Sequence, residues 1–298
     1  MAIQLQLAGR QKDLGGGFIV SRLLPAARQR NVGPFVFFDH FGPATEQPGL
    51  NHDVRPHPHI GLATVTYLFE GAMMHRDSLG SAQRIEPGAI NWMSAGRGIV
   101  HSERKPDDLR DSSFVNHGLQ LWVALPREHE EDEPSFSHTP AAAIPELSVG
   151  AAQVRVLVGE AFGAASPVLT AAPTLYLDLQ LPAGGALDLP PLAPELALYV
   201  VQGAAQVDGQ PIGSGAMAVL EPGNPVRIAA TGATRLVVVG GAPLDGPRYL
   251  WWNFVSSRRE RIVQASANWE AQRMGSVAGD PEFIPLPATR FAPPEPIS

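Results

Sequence analysis

Residues 57–71 read HPHIGLATVTYLFEG, and this stretch sets the architecture. Ala63-Thr64-Val65-Thr66-Tyr67-Leu68-Phe69 is β-branched and aromatic, which suits a pleated, buried surface, and Glu70-Gly71 stops the run. Just ahead of it, His57 and His59 stand two apart. On an extended segment such side chains share a face at about 6.5–7 Å spacing, so two imidazoles can meet one ion. The stretch 87–103, PGAINWMSAGRGIVHSE, opens on a Pro87-Gly88 turn and ends in a second i, i+2 pair, His101 and Glu103. A lone His-x-His is more often an ordinary surface or core pair than a ligand pair. Two such pairs on neighbouring strands supply three neutral nitrogens and one carboxylate. That set suits Fe(II), Mn, Ni, Co, Cu or Zn and leaves up to two open positions on a six-coordinate metal.

Outward from this region, strand signals dominate. Gly118–Val123 alternates before Pro126, and the acidic run Glu128–Glu133 reads as a solvated loop opening a linker to about residue 148. The second half repeats the plan. Leu198-Tyr199-Val200-Val201-Gln202-Gly203 mirrors Tyr67–Gly71, and Ile212–Met217 mirrors Ile85–Ile90, as expected of a duplicated domain. One helix is predicted, with Ser257 and Glu260 as a capping box, an apolar face of Ile262, Val263, Trp269 and Met274, and an end near Gly275. The tail from Asp280, with six prolines and Phe283, Ile284, Leu286 and Phe291, is predicted to run extended. The predicted division is 1–140, 141–256, and 257–298 for the helix and tail.

Composition agrees and narrows the function. The 298 residues include 30 Gly and 29 Pro, well above average usage, which argues for short strands and many turns. Cysteine is absent, so disulfides, thiolate metal sites and cysteine nucleophiles are excluded. The net charge of −7, with Lys12 and Lys105 the only lysines, gives no support for nucleic-acid or membrane-surface binding. No signal segment or apolar span is readable at the start of the sequence or elsewhere, so a cytoplasmic location is expected. All nine histidines fall between His40 and His138, placing the chemistry in the first half. His52 and Asp53 read as loop-surface residues with a possible role in orienting an imidazole. His75 reads as a solvated hairpin residue, and His117, His129 and His138 as strand-edge or loop residues.

The strings HPHIGLATVTYLFEG, PGAINWMSAGRGIVHSE and HGLQLWV closely resemble the pirin family of the cupin superfamily. The resemblance implies an all-β bicupin, two jelly-roll β-barrels with a C-terminal helix. It places one metal in the N-terminal barrel, with ligands at His57, His59, His101 and Glu103. A general cupin carries a glutamate ligand four or five residues after the second histidine, where this chain has Ala63 and Thr64. It carries its last histidine soon after the Pro-Gly turn, where this chain has Asn91 and Trp92. Pirin-like proteins share the second departure, so the differences select the subfamily. The second barrel, without histidine, is expected to be metal-free.

The resemblance implies a metal-dependent dioxygenase of the quercetinase type, with iron as Fe(II) the leading cofactor and Mn, Ni, Co, Cu or Zn as alternatives. The expected partners are a small flavonol and dioxygen. Glu103 would be both ligand and catalytic base, taking the proton of the flavonol 3-hydroxyl. Family chemistry is ring cleavage with release of carbon monoxide. The alternative it also implies is a non-enzymatic metal- or redox-sensing regulator that binds a protein partner.

Overall fold

A computed structural model describes residues 2–15, 17–50 and 52–289. It is built mostly of strands, with one α-helix, Arg259–Glu270, among the described residues. Among the described residues, contacts group those of Met1–Gln11, Ser21–Phe35 and Ala142–Pro243 into one compact unit. Lys12–Val20, Val36–Ala141 and Leu244–Ser298 form the other. This division interleaves the chain rather than cutting it near residues 140 and 256. The cause is pairing: Ile3–Ala8 forms a ladder with Ala216–Leu220, deep in the second half.

In the unit rich in second-half residues, one sheet runs Ile3–Ala8, Ala216–Leu220, Glu195–Gln202, Thr234–Gly241, Thr174–Leu181, Ala152–Val158 and Glu146–Val149. A four-stranded sheet runs Ala186–Leu189, Val226–Ala230, Ala204–Val207 and Gln210–Gly213. Leu177, Leu198, Val200 and Val238 of the first meet Leu187, Val207 and Ile228 of the second in one apolar core, as in a jelly roll.

The histidine-bearing unit has the same plan. Its larger sheet includes, in this order, Ser135–Thr139, Ile90–Ser94, Leu62–Glu70, Phe114–Ala124 and Phe35–Glu46. Its smaller sheet runs Val54–His59, Ile99–Arg104, Met73–Asp77 and Ala82–Ile85. The strand of Tyr67 and the strand of Tyr199 occupy the same place in the two orders, as do those of Ile90 and Met217. The repeat read from the sequence is therefore a repeat of topology. Among the described residues, the hydrogen-bonded sheets keep free edges and do not close into continuous ladders.

Three local expectations are corrected. The segment after Glu128 is not an unpaired linker, because Ser135–Thr139 joins the larger sheet beside Ile90–Ser94. Glu130 is buried, not solvated; Arg248 at 2.9 Å and the hydroxyls of Ser256 and Ser257, each at 3.0 Å, satisfy its carboxylate. Ser257 is thereby taken from the helix. The N-cap is Arg258, without a side-chain cap, and the helix stops at Glu270.

The helix buries Ile262, Ala265 and Trp269 against Ile60, Val100 and Phe254, while Val263 faces outward at 52% exposure. Beyond it the extended tail docks on the same unit. The Ile284 amide donates to the Pro56 carbonyl at 2.9 Å, and Trp269 Nε1–H donates to the Ile284 carbonyl at 2.9 Å. Phe291, Pro293, Pro294 and Pro296 lie outside the described residues.

Candidate metal centre

Three neighbouring strands of the smaller sheet carry the titratable residues, each as an i, i+2 pair. Ile99–Arg104 lies in the middle, antiparallel to Val54–His59 on one side and to Met73–Asp77 on the other. His101 stands directly opposite His57, the cross-strand placement the spacing predicts. The register then slips by one between His101 and Glu103, absorbing an extra residue on the Val54–His59 strand next to Pro56, which has no N–H for the ladder.

The imidazoles of His57, His59 and His101 converge. One ring nitrogen from each lies within 4.8 Å of the others, and all three rings are buried. Ring centroids are 4.4 Å apart for His57 and His101, 4.9 Å for His57 and His59, and 5.0 Å for His59 and His101. His57 Nδ1–H donates to the Arg55 carbonyl at 2.9 Å, and His59 Nδ1–H to the Asn253 carbonyl at 3.0 Å. Each therefore keeps Nε2 as a lone pair. His101 Nε2 is buried with no hydrogen-bond partner among the described residues. A buried nitrogen without a partner is costly, and a cation bound there removes that cost.

Asn253 reaches His59 because the Tyr249–Trp251 and Phe254–Ser256 hairpin folds back onto the strand after Ile60. Gly61 makes that approach possible. It has φ +65°, and a Cβ there would overlap the Val255 carbonyl oxygen.

Electrostatics keep the rings ready to bind. Burial lowers His57 from the ordinary 6.5 to about 4, with the Arg55 carbonyl partly opposing. His59 and His101 lie well below the ordinary value, first through burial and then through neighbouring imidazoles. All three are neutral, the form that donates to a metal.

Glu103 points into the same interior and is 9% exposed, but it is not one of the mutually close donors. Its Oε1 lies 3.4 Å from Thr66 Oγ1, while that hydroxyl makes its shorter bond, 2.8 Å, to Gln120 Oε1. Burial raises the Glu103 pKa, with His75, Thr66 and Gln120 pulling the other way. Beside His59, Trp122 packs edge-on at 5.1 Å and stacks on Phe37 at 4.0 Å, giving the site an aromatic wall.

His75 corrects the expectation of a solvated hairpin residue. It is 4% exposed, lies opposite Glu103 in register, and its Nδ1 is 3.4 Å from His101 Nδ1. The His75-x-Asp77 spacing was the available signal, equal in form to the other two pairs. His52 and Asp53 serve other ends: His52 pairs with Glu46 at 2.8 Å, and Asp53 accepts the Lys105 amide at 2.6 Å. His40 faces His117 at 2.7 Å, and His138 bonds Asn91 at 2.7 Å. His129 bonds Asp132, also at 2.7 Å. No helix among the described residues is long and apolar enough to cross a membrane.

Comparison with known proteins agrees with this architecture. The Pirin family model matches residues 17–123, and the Pirin C-terminal cupin domain matches 176–275. A pirin-like protein of Caulobacter vibrioides is 48% identical over 289 residues, covering 96% of this chain and 99% of that protein. Human pirin is 34% identical over 281 residues, covering 92% and 93%. The crystal structure of a quercetin 2,3-dioxygenase from Acinetobacter baumannii superposes with a TM-score of 0.89 at 36% identity, covering 97% of this chain and 96% of that one. With both halves matched and relatives aligned almost end to end, the chain belongs to the pirin family and has its all-β bicupin fold.

Proposed function

We propose that this protein is a metal-dependent dioxygenase that opens the ring of a flavonol such as quercetin, with His57, His59, His101 and Glu103 as metal ligands. The observation that carries the reading is the convergence of three buried, neutral imidazoles, two tied through Nδ1 to backbone carbonyls and the third with a partnerless Nε2. The likeness to a structure named quercetin 2,3-dioxygenase supports the substrate class.

Three histidines and one glutamate leave a divalent ion with about one net positive charge, and the ion supplies Lewis acidity toward the substrate's oxygens. Fe(II) leads among the candidates on the family resemblance alone; the nitrogen and oxygen donors suit Mn, Co, Ni, Cu and Zn as well. Glu103 does the proton chemistry. Its buried carboxylate, raised in pKa, takes the flavonol 3-hydroxyl proton on one oxygen, and Thr66 and Gln120 steady the side chain. Trp122 and Phe37 offer a flat apolar surface beside His59 for the substrate's rings.

Glu103→Gln tests the assignment. It keeps the shape and removes the base, so quercetin-dependent oxygen uptake and carbon monoxide release should fall by about 10²–10⁴-fold. Full turnover in Glu103→Gln with metal bound would contradict the role of Glu103. Metal uptake without turnover on any flavonol would favour a regulatory protein.

A further inference from the structure

The three imidazoles are not held alike. His57 and His59 rest on main-chain carbonyls, whereas His101 turns its Nδ1 to another side chain, His75. His75 in turn has its Nε2 at 2.9 Å from Asp77 Oδ2. The other oxygen of Asp77 is already engaged: Oδ1 accepts the amides of Leu79 at 2.9 Å and Ser81 at 3.0 Å. His75 is also clamped flat on Phe136, at 4.2 Å and 9°.

Proton counting along this chain leaves little freedom. A carboxylate only accepts, so His75 must place its N–H on Nε2. A neutral His75 then offers a bare Nδ1. Two bare nitrogens do not bond, so His101 must carry its proton on Nδ1 and leave Nε2 as a lone pair directed toward His57 and His59.

We propose that Asp77 and His75 are positioning residues that fix His101 in its Nδ1–H tautomer and aim its Nε2 at the metal position. This deepens the metal-centre reading and rests on it. It also explains why a third i, i+2 pair, His75-x-Asp77, runs alongside the other two on the neighbouring strand. The arrangement is one-directional, from the Leu79 and Ser81 amides through Asp77 and His75 to His101.

Asp77→Asn reverses the direction with almost no change of volume. The two amides of Leu79 and Ser81 require an oxygen, so the side-chain NH₂ must replace Oδ2 and face His75 Nε2. His75 then carries its proton on Nδ1, and His101 is driven to Nε2–H, blocking the nitrogen that would bind metal.

Two measurements at pH 8 test this. Long-range proton–nitrogen correlation spectra of the metal-free protein report which ring nitrogen is protonated, and competition with a coloured chelator gives the cobalt(II) affinity. The expected results are Nδ1–H on His101 in the wild type, Nε2–H in Asp77→Asn, and cobalt(II) affinity weakened about tenfold to a hundredfold. Nε2–H on His101 in the wild type overturns the relay, and that spectrum decides even if the variant does not fold. Unchanged tautomer and affinity in Asp77→Asn overturn it as well. A wild type that takes up no cobalt(II) instead overturns the metal-centre reading beneath it.

Discussion

At the residue scale, the centre depends on rings kept neutral by burial. His57 is held down to about 4 against an ordinary 6.5, and His59 and His101 also lie low. Above pH 6.5 neither the folded nor the unfolded chain protonates these rings. Below it the unfolded chain takes up protons that the folded one refuses, so stability falls as pH drops from 6.5 toward 4. Denaturant midpoints of the metal-free protein should therefore be lower at pH 5 than at pH 7.5; equal midpoints would contradict the shifts. Gly61 is a second residue-scale test. Gly61→Ala forces an unfavourable φ and an overlap with the Val255 carbonyl, which should cost roughly 2–4 kcal/mol in thermal unfolding. The convergence of His57, His59 and His101 was legible because i, i+2 spacing on a strand is local information. The burial of His75 and Glu130 was not, because it comes from contacts distant in sequence, among them His101 and Arg248, 26 and 118 positions away.

At the element scale, the Ile99–Arg104 strand has two jobs. Its inward face carries His101 and Glu103, while its outward face carries Val100 against the helix and Arg104 against the tail. Arg104 grips Asp280 through two bonds of 2.6 and 2.9 Å and reaches Glu282 at 2.7 Å. The tail also holds the Pro56 carbonyl, next to His57. Helix and tail thus brace both proposed ligand strands from behind. Trp269→Ala should cost about 3–5 kcal/mol, read as a lowered melting temperature. Asp280→Asn should weaken metal binding while leaving far-ultraviolet circular dichroism unchanged; unaltered affinity would separate the tail from the centre. The helix itself was readable from its apolar spacing. Its start was not, since Ser257 looks like a cap in sequence and is claimed by Glu130 in the fold.

At the scale of the whole molecule, the two units repeat one strand order, and histidine is confined to one of them. The repeat was visible as paired strand–turn–strand motifs. The interleaving was hidden, because nothing local in Ile3–Ala8 marks Ala216–Leu220 as its partner. That strand buries Ile3 and Leu7, so deleting residues 2–8 should cost roughly 3–6 kcal/mol, seen as a lower melting temperature. The central claim is that one metal held by the histidine cluster turns over a flavonol. Its most direct test is quercetin-dependent oxygen consumption by Fe(II)-loaded wild type and His57→Ala, with metal content measured on the same samples. The expected result is about one metal per chain and sustained oxygen uptake in the wild type, with both lost in His57→Ala. Equal oxygen uptake by the two proteins, or a metal-loaded wild type with no uptake, would contradict it.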